Sequence, residues 1–137
     1  MTTELNFTDN ELLEQFENCT LPIDLLTHEN LLRISWVLLN SYKLELATHK
    51  NCTLKERYYR EVIKNNKFNL SLTKAYTEIL YYFMKKSSAK TFDKLMSEFP
   101  RLKYNFKELV RTHYGYDILK EHRNQESKPI DTILFTF

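Results

Sequence analysis

Leu31-Leu32-Arg33-Ile34-Ser35-Trp36-Val37-Leu38-Leu39 is the stretch whose reading decides the fold class. Only Arg33 and Ser35 interrupt it. On a helix these side chains are apolar nearly all round, and a helix of that kind is buried on most of its surface. The stretch is therefore expected to be the central element of the domain. Thr27 stands where an N-cap is needed, and Leu26 and Leu31 are placed as a hydrophobic staple across it.

Working outward from this helix, the same start signals recur. Upstream of Pro22, Thr8 and Glu11 are spaced as a capping box, with Phe7 and Leu12 as its staple. They predict a first helix over Asp9–Asn18 with Leu12, Leu13 and Phe16 on its apolar face. Downstream, residues 44–52 read ambiguously. Thr53 is the expected cap of a third helix over Leu54–Asn65, and the polar Asn65-Asn66-Lys67 stretch ends it. A fourth helix is expected from Ser71 to Lys86, with Leu72, Tyr76, Ile79, Leu80 and Phe83 at helical spacing. Phe92, Leu95, Met96 and Phe99 predict a short fifth helix after Thr91, stopped by Pro100. Asn105 and Glu108 form another capping-box pattern, and Gly115 suits the end of that sixth helix.

The fold expected from this reading is all-α: one domain over residues 1–137, a compact bundle of about six helices around a buried central one. Residues 1–7 and 120–128 read as mobile. Ile130–Phe137 carries only a weak alternating pattern and has no partner strand upstream. It is expected to be an extended C-terminal tail that docks on the helices or on a neighbouring chain.

Composition narrows the function classes. The chain has 137 residues, enough to bury a core without disulfide staples, and an aromatic share of 14% argues against disorder. It contains one glycine, so a glycine-rich phosphate loop is excluded. Twenty basic and 18 acidic residues leave a net charge of +2, which implies no partner class. Cys19 and Cys52 form no disulfide framework. With no leader pattern and no membrane-length apolar run, the expectation is a cytoplasmic domain with no membrane partner. Basic and aromatic residues interleave over Lys55–Lys67, but Glu56 and Glu61 dilute the field, so a nucleic-acid partner is not expected.

The residue that draws attention is His28, at the first turn of the central helix. Helical spacing aligns it with Leu32, Ser35, Leu39 and Tyr42. The positive end of the helix dipole favours a neutral imidazole, which can serve as a general base or a ligand. The plainer alternative is a histidine that bonds a nearby backbone group. Thr27-His28-Glu29 is not a zinc-protease motif, because Leu32 stands where the second histidine is required. His113 reads as a partly buried histidine on an apolar face, and no metal or cofactor is expected.

Phe16-Glu17-Asn18-Cys19-Thr20-Leu21-Pro22, followed by Leu26-Thr27-His28-Glu29-Asn30-Leu31 and Trp36, resembles the opening of a bacterial family of small helical proteins of unknown function. That family reads F-E-x-x-T-L-P, then a Thr-His-x-x-His-Leu string, a His-Glu-Thr-x-Thr string and a Tyr-Ser-x-x-Arg-Leu string. Here its second histidine falls on Leu31, its His-Glu-Thr string on Asn69-Leu70-Ser71-Leu72-Thr73, and its third string on Tyr114 and Gly115. The resemblance implies an internal polar site assembled from several helices. Together with the spacing around His28, it sets the expected pocket: His28, Ser35, Tyr42, Asn69, Ser71, Thr73 and Tyr114. The expected function is binding of a small molecule or peptide there. The alternatives are a small enzyme with His28 as general base, and an interaction module or homodimer built on the C-terminal tail.

Overall fold

Thr8 starts the first helix, α1 (Asp9–Glu17), as its spacing predicts. Its Oγ1 accepts from the Glu11 N–H at 3.1 Å, and Glu11 Oε1 accepts from the Thr8 N–H at 3.0 Å. The computed structural model describes residues 7–65 and 67–114, and side chains as far as residue 111. After α1 the chain reverses through Cys19, a non-glycine residue in the left-handed region at φ 60°. Pro22 then leads into a single 3-10 turn, Ile23–Leu25.

The apolar run lies within α2 (His28–Ser41), capped by Thr27 Oγ1 on the Asn30 N–H at 3.1 Å. Next come α3 (Leu44–Tyr58), which runs on as a π turn over Tyr59–Ile63, and α4 (Leu70–Lys85). Three shorter helices follow: α5 (Phe92–Glu98), α6 (Arg101–Tyr104) and α7 (Phe106–Tyr114). No strand occurs among the described residues. Among them, no helix is long and apolar enough to cross a membrane.

α2 contacts α1, α3 and α4 and separates two apolar clusters. Leu31, Leu32, Trp36 and Val37 face one cluster, shared with α4, α5, α6 and α7. Ile34 and Leu38 face the other, shared with α1 and α3. Leu32, Ile34 and Leu38 are almost fully enclosed. Burial of each such side chain stabilises the fold by roughly 1.5–3 kcal/mol, far more than helix propensity contributes per residue. Arg33 is the polar break in the run. Its Nε donates to Asp9 Oδ1 at 2.6 Å and its guanidinium also donates to the Phe7 carbonyl, which ties the segment before α1 to α2.

The third helix departs from its sequence reading. It begins at Leu44, nine residues before the cap expected at Thr53, and Thr53 lies inside it. The reason is its buried face. Ala47, Asn51, Lys55 and Tyr58 are the enclosed positions, at helical spacing, yet two of them are polar. A stripe of that composition does not register as an apolar period. The extra helix, α6, is one turn set off by Pro100, which caps it as well as ending the approach from α5. The expected tail, the 120–128 segment and the role of Gly115 lie outside the described residues.

Candidate functional site

His28 enters the core from the first turn of α2. Its Nε2 lies 2.9 Å from the Leu102 carbonyl on α6, and its Nδ1 lies 2.7 Å from the Tyr76 hydroxyl on α4. A carbonyl can only accept, so Nε2 carries the proton. In the neutral ring Nδ1 then accepts from the Tyr76 O–H. Burial holds the imidazole below its ordinary value, against the opposing pull of the Leu102 carbonyl. The ring packs 5.1 Å from Phe106, which stacks on Tyr76 at 4.7 Å. His28 thus joins α2, α4 and α6, and both of its nitrogens are engaged.

Tyr76 has a second neighbour. Lys55 Nζ lies 5.0 Å from the centre of its ring and 6.0 Å from that of Tyr59. Only 2% of Lys55 is exposed. Burial pushes its ammonium down to about 7, with Cys52 acting in the opposite direction. Burial therefore favours the neutral amine over the ammonium at this position. Burial also keeps the Cys52 thiol and the Tyr59 and Tyr76 phenols protonated beyond their usual ranges.

Beside this cluster runs a chain of hydrogen bonds whose directions are fixed. Asn51 Nδ2 donates to Ser35 Oγ at 2.8 Å and to Thr77 Oγ1 at 3.2 Å. Ser35 passes its proton to the Leu31 carbonyl, and Thr77 to the Thr73 carbonyl. Thr73 Oγ1 in turn donates to the Asn69 carbonyl. Ser35, Asn51, Asn69, Thr73 and Thr77 are all buried.

These contacts also establish how α3 and α4 run. Asn51 meets Thr77, Lys55 meets Tyr76, and Tyr59 meets Phe68 at 6.4 Å between rings. Partners descend along α4 as they ascend along α3, so the helices are antiparallel. Asn69 therefore lies level with Tyr59, within about one helical turn of Lys55 along the axis. Asn69 Oδ1 caps α4 by accepting from the Leu72 N–H at 2.9 Å. That bond fixes which side-chain atom is the oxygen. The remaining Nδ2 is buried and has no hydrogen-bond partner among the described residues. An enclosed donor left this way costs about 1–3 kcal/mol. Next to it, the π turn closes on Lys64 in the left-handed region (φ 63°, ψ 44°). π turns recur at functional sites, where the displaced backbone re-aims side chains.

Of the residues expected to share a pocket, Ser35, Asn69 and Thr73 are linked through the hydrogen bonds of Asn51 and Thr77, whereas His28 bonds Tyr76 and the Leu102 carbonyl. Ser71 is half-buried in the first turn of α4. Tyr42 is elsewhere: it caps the opposite end of α2, about 20 Å from His28 along the axis, exposed and beside Lys50. The Tyr114 side chain lies outside the described residues. Sequence reasoning missed Lys55, Asn51 and Thr77. One signal was available: once α3 is extended back to Leu44, Asn51 and Lys55 fall on its buried stripe.

Two open clefts lie away from the α3–α4 seam. One, of about 360 Å³, is lined by Phe7, Asp9, Glu29, Arg33, Thr91, Phe92 and Asp93. The other, of about 200 Å³, is lined by Glu17, His49, Lys50, Thr53 and Leu54. Among the described residues, no three His, Cys, Asp or Glu side chains come together to hold a metal ion. No family model, curated protein or solved structure matches this chain.

Proposed function

We propose that the chain is a helical binding domain for a small molecule bearing a hydrogen-bond-accepting oxygen, with the α3–α4 seam as its recognition site. The observation that carries this reading is the Asn69 Nδ2 donor, buried on the α3–α4 seam without a partner among the described residues. A carbonyl or carboxylate oxygen of a ligand would complete it and recover the cost of the orphan. The resemblance to the bacterial helical family supports the same region, since one of its polar strings falls on Asn69, Ser71 and Thr73.

The engagement of both His28 nitrogens supports a positioning role for this residue, and not that of a general base. It holds the Tyr76 hydroxyl, and so the ring over which Lys55 lies.

The test is an NMR titration of ¹⁵N-labelled protein with acetate, acetone and pyruvate. The side-chain amide pair of Asn69 is expected to shift, together with backbone amides around Tyr59. An Asn69 amide that stays fixed at saturating concentrations of all three compounds overturns the reading.

A further inference from the structure

We draw no further inference here: the strongest candidate, the open cleft of about 360 Å³ between the starts of α1, α2 and α5, is an acidic cluster in which Asp9 is paired with Arg33 and Glu29 with Lys103, and no second observation among the described residues points to a ligand there.

Discussion

Lys55→Met isolates the consequence of enclosing an amine in the α3–α4 seam. Methionine is unbranched and close in volume, so the site stays filled. In the native protein the Lys55 amine titrates at about 7, and in the unfolded chain at about 10.5. Between those values the unfolded chain carries one proton more than the native protein. Stability therefore rises with pH across that window, by up to 1.36 kcal/mol per pH unit at about 25 °C. The full shift corresponds to about 5 kcal/mol. Between pH 7 and 8.5 the slope is still developing near the midpoint, and the expected gain is about 2 kcal/mol. That interval is chosen because burial keeps Cys52, Tyr59 and Tyr76 protonated and His28 neutral within it. Urea unfolding of both chains at half-unit steps gives the difference in stability, in which the other titrating groups cancel. The wild type should gain on the variant by about 2 kcal/mol from pH 7 to 8.5. A difference that stays flat would show that the amine titrates like a solvated lysine and would refute the burial argument.

Other expected outcomes follow from single contacts. His28→Leu removes the bonds to the Tyr76 hydroxyl and the Leu102 carbonyl, and should cost about 2–4 kcal/mol in urea unfolding; a loss under 1 kcal/mol would contradict the three-helix tie. Because the folded imidazole sits below 6.5, the unfolded chain protonates first as pH falls, so wild type should lose stability below about pH 6.5 through a component missing from His28→Leu. Asn51→Ala breaks the link from Ser35 to Thr77 and should cost about 1–3 kcal/mol; unaltered stability would mean the link contributes nothing. Thr8→Ala removes one arm of the capping box and should lower stability by about 1 kcal/mol, read as a shift in thermal midpoint.

The legible part of the fold was its punctuation. Thr8, Thr27 and Thr91 each cap a helix where their spacing places them, because a side-chain cap is a local interaction that needs no tertiary context. The central helix was legible because its burial is nearly complete and so leaves an unbroken apolar string. α3 was hidden for the opposite reason. Its inward face holds Asn51 and Lys55, whose burial depends on partners in α2 and α4 far along the chain. The site followed the same division. Ser35, Asn69 and Thr73 could be proposed from spacing and resemblance, whereas Lys55 read only as one member of a stretch of interleaved basic and aromatic residues. Tyr42 was aligned with His28 by helical period alone, which fixes a face but not a distance along it.

α2 belongs to two apolar clusters at once, and that makes it the shared wall of the domain. Trp36 and Val37 seal one side, Ile34 and Leu38 the other. Neither α1 with α3 nor α5 to α7 can detach without exposing a face of this helix to water. The two halves therefore protect a common element, and cooperativity between them passes through it. In hydrogen exchange, amides of α2 should open only with the whole molecule, while those of α1 and of α5 to α7 can open through separate, cheaper fluctuations. A polar substitution at Ile34 and one at Trp36 would then loosen opposite halves of the molecule yet slow-exchange protection would fall on the same helix in both.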